Sequence, residues 1–226
     1  MRQAGWRREL KRAVDVVGAA AGLAVTSPII LASAAAVRVT MGSPVLFRQK
    51  RPGLGGRPFE LVKLKTMKNA TQSTNVADDS KRITRLGSFL RAASIDELPT
   101  LFNVLAGDMS LVGPRPLLTQ YLSRYDAFQA RRHEVLPGLT GWAQVNGRNA
   151  VSWEEKFALD VWYVDHWSLA LDARILAKTF ATVLLRTGIS HQGHVTMPEF
   201  MGSELTSRRR SGSCRYPPDP PPAPPA

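Results

Sequence analysis

Cysteine is nearly absent from this sequence: Cys214 is the only one in 226 residues. A single thiol excludes an intrachain disulfide framework and a cysteine zinc site, so nothing here demands an oxidising compartment. Histidine is scarce too. One spaced pair exists, His191-x-x-His194, but the further ligands of a metal centre are missing around it. The glycine-rich stretch Arg51-Pro52-Gly53-Leu54-Gly55-Gly56 lacks the helix and lysine that complete a P-loop. It reads as a hairpin turn ahead of a phosphate cradle. Acids are few: 18 Asp and Glu face 30 Lys and Arg, a formal net charge of +12. Such a balance favours polyanionic partners, whether nucleic acid, anionic lipid headgroups, or nucleotide and phosphate substrates.

The N-terminus bears on that choice. Arg2, Arg7, Arg8, Lys11 and Arg12 precede an uncharged stretch from Val16 to Val37. A bilayer core takes about 20 such residues as a straight helix. At its middle stands Thr26-Ser27-Pro28, where proline removes a backbone donor and hydroxyls can satisfy the freed carbonyl. Arg38, Arg48, Lys50 and Arg51 follow, so both flanks prefer the cytoplasmic face. A helix–break–helix that enters and leaves on one face satisfies both. A single-pass anchor and a cleaved signal, suggested by Ala32-Ser33-Ala34, are the competing readings.

Further along, Pro44–Lys50 and Arg57–Lys65 read as strands around the glycine turn. Asn69–Ser80 reads as a loop and Lys81–Ala92 as a short basic helix. Met109–Val112 is a brief strand, and Pro116–Val135 is helical with Arg131, Arg132 and His133 near its end. A polar patch spans Gln144–Arg148. Ser152-x-x-Glu155 is a capping box that starts a helix through about Asp165. Its aromatics, Trp153, Trp162 and Tyr163, with Trp167 beyond, suit either headgroup depth or a plain core. Asp172–Arg186 is amphipathic, with Ile175, Leu176, Thr179, Phe180, Val183 and Leu184 in one stripe and Gly188 closing it. That helix fits a bilayer interface or the core. Past Ser190, Arg208-Arg209-Arg210 and Pro217–Ala226 mark a disordered tail unable to bury a core.

Chemistry concentrates at Ser94-Ile95-Asp96-Glu97-Leu98-Pro99 and at Gly113-Pro114-Arg115-Pro116. Two adjacent acids stand among Lys81, Arg82, Arg85, Arg91 and Arg115. A carboxylate nucleophile, a carboxylate partner and guanidinium forks for phosphate oxygens suit phosphoryl transfer, normally with a divalent metal. The plain reading is a capping box, Ser94-x-x-Glu97. Pro99 opposes that register and fits better at the first position of a helix through Thr100–Ala106 that stops at Gly107. Asp96 and Glu97 then lie on a non-helical lead-in that can aim both acids into one site.

From about Lys11 to Gly188 the chain resembles the bacterial sugar transferases, the monotopic phosphoglycosyl transferases. The matching pieces, in order, are Lys11-Arg12-x-x-Asp15, Ser27-Pro28, Phe47-Arg48-Gln49 and Lys63-Leu64-Lys65-Thr66-Met67. Thr84-Arg85-Leu86-Gly87, Leu90-Arg91, Asp96-Glu97-Leu98-Pro99 and Asn103-Val104-Leu105 continue the match. It ends with the run from Gly107 to Pro116 and with Pro137-Gly138-Leu139-Thr140-Gly141-Trp142.

The resemblance implies transfer of a sugar 1-phosphate from a UDP-sugar to undecaprenyl phosphate, with release of UMP, as the initiating step of a surface polysaccharide or glycoconjugate. It implies Asp96 as nucleophile of a covalent phosphosugar–aspartyl intermediate and Glu97 as its partner, with Mg²⁺ held by Asp96 and Glu97. Arg91, Lys63, Lys65, Pro114, Arg115 and Pro116 stand where the family binds phosphate and nucleotide. Lys65 replaces an arginine found in many relatives. Ser27 and Pro28 match the break of a re-entrant membrane helix. Many larger relatives carry a further membrane domain ahead of the catalytic part, which this sequence does not include.

The expected fold is α+β. Residues 1–40 form a basic start and re-entrant membrane hairpin, 41–190 a small, mostly helical cytoplasmic domain with a β-hairpin and interfacial helices, and 191–226 the tail. The expected place is the cytoplasmic face of the bacterial inner membrane, with membrane lipids as partners and no specific nucleic acid. A homo-oligomer is compatible with the pattern, although no motif argues for one. The alternative is a non-catalytic, membrane-tethered basic protein that binds nucleic acid or anionic lipid.

Overall fold

Helix α1 spans Trp6–Met41 without interruption, about 54 Å at the usual rise per residue. The computed structural model describes residues 5–68, 82–147, 151–185 and 199–202. The Asn69–Ser80 loop, Arg148, Gly188 and the His191/His194 pair lie outside them. The expected break is not a break in the backbone. Pro28 deprives the Ala24 carbonyl of its helical donor, and Ser27 Oγ donates to that carbonyl at 2.9 Å. Thr26 Oγ1 donates to Gly22 O at 2.7 Å. These hydroxyl bonds let the helix continue where two helices were expected.

α1 has two characters. Ala19 and Leu23 pack against Leu61, Leu101, Val104 and Met109, helped by Gly18 and Gly22, where an added Cβ would press on Leu111 and Leu101. Val25 and Leu31 are 78% and 69% exposed. Among the described residues α1 is the one helix long and apolar enough to cross a membrane. So much exposed aliphatic surface suits a bilayer better than water.

Strands β1 (Leu46–Pro52) and β2 (Pro58–Leu64) form an antiparallel hairpin with Leu46 opposite Leu64. The glycine stretch is its turn, as expected, with Gly55 and Gly56 at φ 61° and 76°. Helix α2 (Arg85–Ala92) starts later than expected. Thr84 Oγ1 accepts the Gly87 N–H at 2.9 Å and caps it, while Ile83 bridges Met67. A 3₁₀ turn over Ile95–Thr100 leads into α3 (Leu101–Ala106), which stops at Gly107 with φ 94°.

β3 (Ser110–Val112) pairs in parallel with β4 (Gly138–Thr140). The helix expected over Pro116–Val135 is broken into 3₁₀ Thr119–Arg124, α4 (Ala127–Ala130) and 3₁₀ Arg131–Glu134. The break falls at Asp126, which forms a new capping box with Gln129. α5 (Trp142–Asn146), α6 (Trp153–His166) and α7 (Leu169–Leu185) complete the α+β architecture. The Ser152–Glu155 capping box forms with both reciprocal bonds.

Tyr163 and Trp167 lie in the core with Val112, Trp142 and Ile175, which favours the core reading of the aromatics. The α7 stripe divides: Ile175 is buried, whereas Leu176 and Phe180 are exposed. A second correction concerns the tail. Phe200 is buried with Leu117, Tyr121 and Phe157, so a segment expected to bury nothing supplies a core residue.

The N-terminal motif explains how α1 is held. Lys11 Nζ donates to Asp172 Oδ2 at 2.7 Å, and Trp167 Nε1 donates to the same oxygen at 3.0 Å. The Tyr163 hydroxyl lies 2.7 Å from Asp172 Oδ1. Asp15 Oδ1 accepts the Leu111 N–H, and Arg12 donates to the Val104 and Leu105 carbonyls, the exposed end of α3.

Candidate active site

The acid pair is positioned by side chains that take the place of a third strand. Thr100 Oγ1 donates to Val62 O, Asn103 Oδ1 accepts from Val62 N, and Asn103 Nδ2 donates to Glu60 O, at 3.0, 3.0 and 2.7 Å. The 3₁₀ turn is thereby fastened along β2, and Glu97 comes to face Lys63. The chain enters through Ser94 at φ 55°, a left-handed conformation that costs a non-glycine residue energy. Ser94 makes no capping bond, so the capping-box reading fails. The lead-in expected to be non-helical is the 3₁₀ turn itself, in which successive side chains point about 120° apart.

Glu97 is gripped. Its Oε1 lies 2.6 Å from Lys63 Nζ and 2.5 Å from Arg115 Nη2, with Arg115 Nη1 at 3.3 Å from Oε2. Burial works to raise its proton affinity, but the charges and hydrogen bonds of Arg115 and Lys63 outweigh it and hold the carboxyl well below the usual range. Lys63 is shifted down, chiefly by burial, against the pull of Glu97.

Asp96 is different. It is 8% exposed, and among the described residues no donor bonds its carboxylate. Nor is the carboxylate among the atoms sealed from solvent. Burial first and Glu97 second push its proton affinity up, against Lys63, Arg91 and Arg115. A more basic carboxylate with an open face is the better nucleophile of the two.

Arg115 projects between buried Pro114 and Pro116, its side chain 38% exposed. Its carbonyl accepts from Arg132 Nη2 at 2.7 Å. Arg132 is fully buried and pairs with Asp160 at 2.7 Å. Arg51 Nη1 approaches the Pro116 carbonyl at 3.4 Å. Arg91 Nε donates to Thr66 Oγ1 at 2.9 Å, and its charge reaches Asp96. The structure therefore brings Asp96, Glu97, Lys63, Arg91 and Arg115 together.

Lys65 is not part of that group. Its amine donates to the Met41 carbonyl at 3.3 Å, at the end of α1, where a cation suits the helix dipole. Ser27 and Pro28 lie far along the exposed stretch of α1. Among the described residues no cluster of three or more His, Cys, Asp or Glu forms a metal cage. An open cleft of 1410 Å³ lies elsewhere, between the start of α1 and the hairpin turn, lined by Arg12, Gly55, Asp108 and His133.

Sequence reasoning missed three contributors. Arg132 was visible only as one of three basic residues, and nothing local links it to Asp160. Lys156, pushed down to about 8 mainly by burial, lies within the field of Arg115 and Arg132. Phe200 stands among residues that resemble a linker. Only the fold brings these together.

A family model described as Bacterial sugar transferase matches residues 6–186. The chain is 56% identical to the Uncharacterized sugar transferase EpsL of Bacillus subtilis (strain 168), over 86% of this chain and 96% of that protein. It is 44% identical to a UDP-glucose:undecaprenyl-phosphate glucose-1-phosphate transferase of Caulobacter vibrioides, over 77% of this chain and 69% of that one. It is 38% identical to a UDP-N-acetylgalactosamine-undecaprenyl-phosphate N-acetylgalactosaminephosphotransferase of Aeromonas hydrophila, over 79% of this chain but 44% of that longer protein. None of these gives support to a binding protein without catalysis.

Proposed function

This chain belongs to the bacterial sugar transferase family, and on that premise we propose that it transfers a sugar 1-phosphate from a UDP-sugar to undecaprenyl phosphate, releasing UMP. The observation that carries this reading is the asymmetry of the acid pair, one carboxylate open and basic, its neighbour locked between two cations. In the first step an Asp96 oxygen attacks the β-phosphorus of the donor. The bond from that phosphorus to the bridging oxygen breaks, UMP departs with the electron pair, and the phosphosugar stays on Asp96. In the second, an oxygen of the polyprenyl phosphate attacks the same phosphorus and frees the Asp96 carboxylate. Splitting one displacement into two is the benefit of covalent catalysis.

Arg115, Lys63 and Arg91 are placed to hold phosphoryl oxygens, and the Arg115 fork allows bidentate contact. The low proton affinity of Glu97 suits orienting these cations better than proton abstraction, since a base works best near the operating pH. Mg²⁺ commonly takes one or two carboxylates and completes its shell with substrate phosphates and water. The open Asp96 carboxylate fits that donor set, whereas both oxygens of the adjacent Glu97 already face Lys63 and Arg115; an ion held there would neutralise charge developing on the diphosphate.

Membrane seating follows from α1, its exposed aliphatic middle and its basic flanks. We propose that α1 bends at Pro28 without breaking, so that both of its ends, held on the one domain through Lys11–Asp172 and Lys65–Met41, lie on the cytoplasmic face of the bacterial inner membrane, where a soluble nucleotide meets a lipid phosphate. The first experiment is UMP release by protein in nanodiscs with Mg²⁺ and undecaprenyl phosphate, over a panel of UDP-glucose, UDP-galactose and their N-acetylated forms. Release with one donor, and a trapped phosphosugar adduct absent in Asp96→Asn, is expected. An adduct that survives Asp96→Asn removes Asp96 as nucleophile, and silence with every donor from folded protein removes the reaction.

A further inference from the structure

We infer that Phe200 is a positioning residue for Arg115, acting through Tyr125, Phe157 and Arg132. The inference rests on the proposed function in one respect, that Arg115 holds the donor. Phe200 is 1% exposed and fills a box of four rings. Its centroid lies 5.0 Å from Phe157, 5.8 Å from Tyr125 in a stacked pose, and 5.7 Å from both Tyr121 and Trp153. Its segment is fastened from outside. Glu199 Oε1 accepts from Gln120 Nε2 at 2.7 Å and from Arg124 Nη1 at 2.9 Å, and Arg124 also donates to the Phe200 carbonyl.

The other side of the box carries the charge. The Arg132 guanidinium lies over Phe157 at 5.6 Å and over Tyr125 at 5.9 Å, and its Nη1 donates to the Tyr125 hydroxyl at 3.3 Å. The same guanidinium holds the Arg115 carbonyl. One ring layer therefore separates Phe200 from the group that fixes the backbone of Arg115. Interiors are close-packed, so emptying one side of such a layer lets its rings relax into the space. Arg132 would follow them, and Arg115 would lose its aim at the donor. Small misplacements of a binding fork weaken substrate holding out of proportion to their size.

The test uses the full chain in nanodiscs, with Phe200→Ala, Phe200→Leu and Arg124→Ala; the last frees the segment without emptying the box. Amide hydrogen exchange is read first, because it needs no turnover. Both alanine variants should exchange faster over residues 115–125 and near Arg132, with the β1–β2 hairpin unchanged. KM for the UDP-sugar should rise about tenfold while kcat stays within about twofold, and Phe200→Leu should recover most of the loss. Should Phe200→Ala not fold, Arg124→Ala and Phe200→Leu supply both readings. Unchanged exchange at 115–125, or kcat and KM that move only with the folded fraction, reduces Phe200 to an ordinary core residue and overturns the inference. If the wild type turns over no donor, the proposed function fails, and exchange alone decides the link from Phe200 to Arg115.

Discussion

Two places in this molecule bring a lysine to a carboxylate, and they are completed to different degrees. Around Asp172, Lys11, Trp167 and Tyr163 occupy both oxygens, and every member is buried. Around Asp96 and Glu97, Lys63 and Arg115 converge on Glu97 alone and leave Asp96 without a donor among the described residues. The chemical ingredients are alike. A closed network rigidifies and joins α1 to α6 and α7, whereas an open one keeps a reactive group in reserve. Completion of hydrogen bonding, more than the presence of charge, separates the structural cluster from the catalytic candidate.

The comparison is broken most sharply by exchanging each aspartate for its amide. Asp96→Asn should lower UMP release by at least about a thousandfold, since the adjacent carboxylate, Glu97, is held by Lys63 and Arg115. Its thermal midpoint should stay the same or rise, because an amide costs less to bury than an unpartnered carboxylate. The pH dependence carries the same sign. With its folded proton affinity raised, Asp96 costs stability above its folded value, and acidification relieves that cost. Urea melts at descending pH should show this relief in the wild type and not in Asp96→Asn.

At the closed cluster the loss should appear in stability. Lys11→Ala removes one partner of a buried pair and should cost about 3 kcal/mol in urea unfolding, with kcat per folded molecule retained. Arg115→Lys keeps the charge but not the fork, so KM for the donor should rise about tenfold with a smaller change in kcat. A further prediction concerns His133. Burial, with help from Arg132, lowers it from 6.5 to about 4, so the unfolded chain takes up its proton first as pH falls. Stability should therefore decline from pH 6.5 towards 4. His133→Gln should flatten that part of the urea-midpoint profile.

What the sequence made legible was local. Gly107 ends α3 where a left-handed glycine was expected, Ser152 and Glu155 cap α6, and the glycine stretch turns the hairpin. Of the site, Asp96, Glu97, Arg91 and Arg115 are close enough in the chain to be read as a group, and Lys63 came with the family pattern. The misses depend on distance. Arg132, in the 3₁₀ turn after α4, meets Asp160 on α6, and Lys65 turns to a carbonyl at the end of α1. β4 is three residues long, too short for any alternation to show. Phe200 stands near the start of a tail whose later basic and proline-rich composition argues against burial, yet one ring fitting four others outweighs composition.

The side chains that clasp β2 also bear on how the protein fails. A lone two-stranded hairpin is marginal, and its outer edges are templates for pairing with another chain. Asn103 and Thr100 occupy the outward groups of Glu60 and Val62, and the opposite strand presents the exposed Arg48 and Lys50. One edge is masked and the other repels its own kind. Aggregates of this protein stripped of lipid should therefore grow through the aliphatic middle of α1 and dissolve when detergent is restored, rather than harden into cross-β fibres.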